Sequence, residues 1–211
     1  MTDRPIIFSA PMVRALLDGR KTQTRRVLGK TSGRVNIFNA EIAWADSYVM
    51  DPGNAEWRAR YTPYAPGDRL YVREAIDKAS DRDGVFYRAD YEAQHGDATG
   101  LGWRPSIHMP RWASRLTLTV TEVRVQRLQD ISEADAVAEG IERLKSGRGF
   151  YDPTVSHAAV RFGEWTSTAR QGFCRLWNSL HGPDAWDANP WVVALTFNVK
   201  RGNIDQIGGA K

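Results

Sequence analysis

A single cysteine, Cys174, stands in a chain of 211 residues, so no internal disulfide framework is available and a reducing compartment fits. No window approaches the apolar length of a membrane span, and the start, Met1-Thr2-Asp3-Arg4-Pro5, has no apolar signal core. A soluble cytoplasmic protein is therefore expected. There is no glycine-rich phosphate loop, no dinucleotide fingerprint and no Gly-x-Ser-x-Gly elbow. The four histidines (His95, His108, His157 and His181) lack mutual metal-ligand spacing. With one cysteine beside them, no metal and no cofactor is expected, and no internal repeat is visible.

What is present is ample apolar material: 42% hydrophobic residues and eight tryptophans, enough for a sizeable core and too much for a disordered chain. A net charge of +4 and a pI near 9.3 permit a nucleic-acid partner without requiring one. The charge is concentrated early. Ser9-Ala10-Pro11-Met12-Val13-Arg14-Ala15-Leu16-Leu17-Asp18 reads as a short helix, with Pro11 in its first turn and Met12, Val13, Leu16 and Leu17 on one stripe. Gly19 supplies a left-handed stop. The chain then runs through Arg20 and Lys21 into Thr22-Gln23-Thr24-Arg25-Arg26-Val27, whose β-branched content favours a strand. An amine, two hydroxyls and three arginines in so short a span suit an anionic or carbonyl-bearing ligand. A basic exit from a helix also complements the macrodipole, without any ligand.

The pattern decays from Gly29 to Pro66, where glycine, asparagine and proline interrupt every longer element. Val35-Asn36-Ile37-Phe38 and Ala43-Trp44-Ala45 are candidate strands of a small hairpin there. The segment reads as an insertion at about 30–65 laid over a single domain spanning 1–200. Periodicity returns at Pro66-Gly67-Asp68-Arg69-Leu70-Tyr71-Val72-Arg73-Glu74, a turn feeding a strand. Leu70, Val72 and Glu74 share its inward face, and Tyr71 and Arg73 the other. An acid in that position must be paired or its pKa rises. Gly84–Ala89 reads as a further strand and 93–102 as a polar loop. Between Trp103 and Trp112, aromatics alternate with cations, an arrangement that can stack a base or plug the end of a small barrel.

Ser114–Thr121 is the longest strand candidate, and its apolar phase flips at Glu122, the mark of a bulge or a barrel corner. A compact helix over 131–140 carries Ser132 as its cap and Gly140 as its stop. Residues 145–166 form a second irregular insertion. A last helix spans about Thr168 to Leu180, with Phe173, Leu176, Trp177 and Leu180 on one face. A closing strand over 191–200 is buried on its Trp191, Val193, Leu195 and Phe197 side, and 201–211 form a flexible tail. Strands and helices without βαβ alternation indicate α+β architecture around a curled, mostly antiparallel sheet.

The order of these motifs resembles the ASCH domain family, especially the longer ASCH-containing proteins of phages and prophages. The elements that carry the likeness are the helix ending in Gly19-Arg20-Lys21-Thr22-Gln23-Thr24-Arg25, the Pro66–Glu74 turn and strand, the Leu-Thr-Val strand, the 131–140 helix and Asn189-Pro190-Trp191-Val192. The resemblance implies a PUA-like mixed β-barrel with flanking short helices, and a cleft for RNA or a modified nucleoside. Some small members hydrolyse the acetyl amide of N4-acetylcytidine with a lysine, a threonine and a glutamate. Those positions match Lys21, Thr24 and Glu74. Other members are linked to RNA binding or ribonuclease activity, and no histidine pair supports the latter here. Substrate contacts expected on this reading are Arg20, Thr22, Arg25, Arg26, Arg73, Trp103, Arg111 and Trp112. Independently of the family, amide hydrolysis needs a nucleophile, a base and a holder for the oxyanion. Three residues separate Lys21 from Thr24, so the two converge only if Lys21 stays in the turn before the strand.

Overall fold

In the computed structural model, residues 1–28, 46–82, 84–96, 98, 100–154, 160 and 163–207 are described; the expected hairpin at 35–45 lies outside them. The chain opens with β1 (Asp3–Ile7), α1 (Ala10–Leu17) and β2 (Gln23–Val27). Two short helices follow, α2 (Asp46–Val49) and α3 (Ala55–Tyr61), where the sequence promised only broken coil. Next come β3 (Arg69–Arg73), β4 (Ile76–Asp77), α4 (Arg88–His95), β5 (Trp103–Arg104) and the long β6 (Leu116–Arg127). The chain ends with α5 (Glu133–Ala138), β7 (Glu142–Arg143), β8 (Phe150–Tyr151), α6 (Ala169–His181), β9 (Trp191–Arg201) and α7 (Ile204–Ile207).

Five strands form the main sheet in the order β1-β3-β6-β9-β2, with β1 parallel to β3 and every other pair antiparallel. The α+β, mostly antiparallel reading therefore holds. The expected closed barrel does not form among the described residues. β1 and β2 sit at opposite ends of the strand order, and Arg26 Nη2 reaches from β2 to the Ile7 carbonyl at 2.7 Å across the seam between them. Among the described residues, no helix is long and apolar enough to cross a membrane.

β6 and β9 form the longest ladder, and its register slips between Val120 and Glu122, where the apolar phase of the sequence flips. Leu116, Leu118 and Val120 face inward before the slip. One extra residue there re-aims Val123 and Val125 and bends the strand. In β9, Trp191 to Leu195 are all buried, so this strand is covered on both faces and not only on the one that alternation indicates. The main core gathers Ile6, Val13, Leu16, Leu70, Leu118, Phe173, Trp177, Val193 and Leu195 around this sheet.

Three departures from the sequence reading have local causes. The expected Gly84–Ala89 strand contributes only an isolated bridge, Tyr87 with Ile76, before α4 begins at Arg88. α4 is held by buried Ala89, by the Arg88–Glu92 pair one turn apart, and by Arg14 of α1, which bonds Glu92 at 3.0 Å. Residues 201–207 of the expected tail are packed on the domain: Ile204 is buried, and Asn203 Nδ2 donates to the carbonyls of Arg111, Trp112 and Ser114. The Ser132 cap follows expectation, and Thr168, the expected start of the last helix, caps α6. Ser132 accepts from the Asp135 N–H and Thr168 from the Gln171 N–H. Thr168→Ala should lower stability by about 1 kcal/mol in urea unfolding, since one orphan N–H of α6 loses its acceptor.

Candidate functional site

Gly19, at φ +71°, ends α1 and turns the chain so that the Arg20 and Lys21 N–H groups both donate to the Ala15 carbonyl. β2 begins only at Gln23, so Lys21 stays in the turn. Its backbone is fixed at one end of the strand while its side chain runs inward; Lys21 is 2% exposed. The end of α5 meets it there. Thr22 N–H donates to the Ala138 carbonyl at 2.8 Å. Gly140, at φ +107°, carries no side chain where a Cβ would lie 3.7 Å from Lys21 Cβ. That close approach brings Glu139 onto the lysine: Nζ donates to its carbonyl at 2.6 Å and to its Oε2 at 2.8 Å.

Arg25 completes the buried charge cluster. Its guanidinium bonds Glu139 Oε1 at 3.1 Å and Asp135 Oδ2 at 3.0 Å, and its Nε is buried without a hydrogen-bond partner among the described residues. Gln23 and Arg124 also bond Asp135. Burial works to raise Asp135, and these bonds with the two arginine charges override it and hold the carboxyl below its usual range. Burial pulls Lys21 below the usual lysine value; Glu139 opposes the shift, and Arg26 and Arg25 add to it.

Lys21, Thr24, Arg25, Arg26 and Glu139 line one cavity of about 110 Å³, with Phe8, Met12, Phe173, Trp177 and His181. Thr24 and Arg25 alternate along β2, which ends the strand order, yet both border the cavity. Rings and cations interleave in the wall. Arg26 lies 5.1 Å over Phe8, Arg25 5.9 Å over Phe173, and His181 packs at 4.2 Å on Trp177. Ser9 borders this cavity, a second of about 410 Å³ that includes Trp103, and a surface groove of about 960 Å³ lined by Arg14, Arg20 and Arg88.

Lys21 and Thr24 thus share a cavity, with Arg25 and Arg26. Glu74 does not border it. β3 runs antiparallel to β6, and continuing the Tyr71–Thr117 register puts the end of β3 beside Arg115. The Arg115 guanidinium takes both Glu74 oxygens, at 2.8 and 3.0 Å, and also bonds Asp90. Burial raises Glu74, against the pull of Arg115. Phe8, which lines the first cavity and the second, stands on the side toward β3. The acid at Lys21 is Glu139, which the sequence reading passed over inside a well-capped polar helix.

The expected substrate contacts divide in the same way. Thr22 is exposed, outside the cavity wall. Arg20 pairs with Asp18 and Glu142 at the groove. Arg73 donates to the carbonyls of Met109 and Ile107, clamping the turns before β6. Arg111 is held by Asp3 and Asp205. Trp112 packs on the satellite core of Ile76, Met109 and Ala113. Trp103 donates to the Ala98 carbonyl and reaches the neighbouring cavity. Trp177 was legible only as a helix-face residue, and His181 only as a histidine without metal-ligand spacing; nothing in either marked a cavity wall. Among the described residues, no group of three or more His, Cys, Asp or Glu could hold a metal ion.

No family model matches this sequence, and no curated protein does. Among solved structures, the chain is similar to a high-resolution crystal structure of an ASCH domain from Lactobacillus crispatus JV V101. The identity is 14%, the match covers 94% of this chain and 79% of that one, and the TM-score is 0.33.

Proposed function

We propose that the cavity beside β2 binds a modified nucleoside, free or within RNA, and hydrolyses an acyl amide on its base, of the kind found in N4-acetylcytidine. The observation that carries this reading is a buried lysine, lowered in pKa, sharing a small aromatic-walled cavity with a threonine. Faces of Phe8, Phe173 and Trp177 interleaved with guanidiniums suit a flat heterocycle bearing carbonyl oxygens. The ASCH-like motif order of the sequence, with its PUA-like fold and phage-type relatives, belongs to the same proposal.

The chemistry balances on this chain's own groups. Neutral Lys21 Nζ takes the proton of Thr24 Oγ1 as that oxygen attacks the acyl carbon. The carbonyl oxygen becomes an oxyanion, and Arg25, whose Nε–H has no partner among the described residues, is the donor in the wall that meets it. The C–N bond breaks, and the Lys21 ammonium returns its proton to the leaving amine. Water, deprotonated by Lys21, then attacks the Thr24 ester; the acyl C–O bond breaks, the Lys21 ammonium returns the proton to Thr24 Oγ1, and the acid is released. Glu139 orients the lysine through the 2.8 Å contact, standing where the family resemblance would put Glu74.

The test is release of acetate from N4-acetylcytidine by purified protein, followed across roughly pH 6 to 10. Only the neutral amine acts as base, so kcat/KM should rise with pH and level off above a single ionisation that lies below the ordinary lysine value. A profile that falls with rising pH excludes Lys21 as the base. A second reading has its own observation: Lys21 Nζ is committed to two oxygens of Glu139, which favours the ammonium and a site that binds without turnover. Saturable binding of N4-acetylcytidine with no acetate released would establish that reading instead.

A further inference from the structure

The cations around the cavity are not equally matched. Lys21 and Arg25 share Glu139, Arg25 also holds Asp135, and Arg14 and Arg20 at the adjoining groove each have a carboxylate. Arg4 and Arg26 form no ion pair among the described residues; Glu139, already bonded to Lys21 and Arg25, acts on Arg26 only at longer range. Arg26 borders the cavity and donates one N–H to the Ile7 carbonyl. Arg4 lies on the opposite edge strand, on the same face as buried Ile6, and its Nε is buried without a partner among the described residues. Tyr64 stands close enough to feel both arginine charges, which oppose the upward push that burial gives its hydroxyl.

We propose that Arg4, Arg26 and Tyr64 form a phosphate subsite at the seam between β1 and β2, so that the ligand of the cavity is a nucleotide and not a bare nucleoside. The inference rests on the nucleoside reading above and adds the phosphate to it. Two partly buried guanidiniums with no ion-pair partner among the described residues balance about the charge that a phosphate monoester brings, −1.5 to −2 at neutral pH. Guanidinium forks match phosphate oxygens in geometry, and a phenol supplies a further donor. A salt-bridged pair would offer an anion neither the charge nor the free N–H groups. Arg26 touches both the base cavity and the seam, so one ligand can fill both.

Calorimetric titration of the intact protein with inorganic phosphate reads the subsite with no nucleoside present, so it can succeed or fail separately from hydrolysis. Titrations with N4-acetylcytidine, its 5′- and 3′-monophosphates and a trinucleotide carrying it centrally then read the linkage. The phosphorylated ligands should bind at least about tenfold tighter than the nucleoside, the effect of one or two charge-assisted hydrogen bonds. A preference for a monophosphate identifies a free nucleotide as the source, and a preference for the trinucleotide identifies RNA. Arg4→Gln, outside the cavity lining, should bring the ratio to about one and weaken inorganic phosphate binding to a similar degree. Thermal melting of that variant verifies its fold, and Arg4→Lys, which keeps the charge, should restore part of the ratio. Equal affinity for nucleoside and nucleotides in the unsubstituted protein, or a ratio that Arg4→Gln leaves intact, overturns the proposal.

Discussion

Thr24→Ala and Lys21→Met are each expected to lower kcat/KM for N4-acetylcytidine by roughly 10³-fold or more, while Thr24→Ser retains measurable turnover. Loss of the hydroxyl removes the atom that attacks. Loss of the amine removes the base that frees it, and the two losses should not multiply in the double variant, because either one disables the same step. Glu139→Gln separates the mechanism from simple damage. It keeps the side chain's size but withdraws the negative charge that supports the Lys21 ammonium, so the ionisation in the pH–rate profile should move to lower pH. Glu74→Gln is the contrasting change, since its carboxylate is engaged by Arg115 and does not border the cavity. Its effect should stay below about tenfold, well under the range for loss of a general base. A Glu74→Gln enzyme as inactive as Lys21→Met would restore Glu74 to the catalytic set and remove Glu139 from it.

Glu139→Ala should produce the largest loss of stability, about 3–5 kcal/mol at neutral pH, or a fall in Tm of roughly 10 °C. The acid is 3% exposed and accepts from both Lys21 and Arg25. Arg25 keeps Asp135, but Lys21 is left as a buried charge with only the main-chain carbonyl of residue 139 to accept from it. The fold can escape by releasing the lysine's proton. Below the folded pKa both states are protonated and the full penalty stands. Between the folded pKa and the unfolded value near 10.4, the unfolded chain binds more protons, so stability recovers by about 1.4 kcal/mol per pH unit. Lys21 is lowered in the unsubstituted protein too, but less, because Glu139 opposes the shift. The gap in Tm should therefore narrow only between the folded Lys21 pKa of Glu139→Ala and the higher one of the unsubstituted protein, above which both recover alike. A gap that is constant with pH would mean that the loss comes from packing and not from the stranded charge.

The local devices of the site follow from the sequence alone. A glycine after an apolar-striped helix is sufficient to end α1 and leave Lys21 in a turn, because no other residue takes a positive φ so readily. The change of apolar phase at Glu122 is sufficient to place the bulge in β6, because side chains alternate strictly and the core accepts only one face. Hydroxyls at Ser132 and Thr168 mark where α5 and α6 begin. Each of these depends on neighbours a few residues away.

Partnership across the chain was decided by the tertiary structure. Glu139 meets Lys21 over a separation of 118 residues, and near the end of a short polar helix it reads as a solvated charge until α5 is docked on β2. Glu74 occupies the inward position that alternation assigns it. Which cation answers it depends on the β3–β6 pairing, and that pairing gives Arg115 in place of Lys21. Whether the sheet closes rests on where β1 and β2 fall in the strand order, and β1 joins β3 in parallel at the far edge from β2. Burial compels every inward charge to find a partner, and a linear pattern states which residues need one. Only the docked elements determine which residue supplies it.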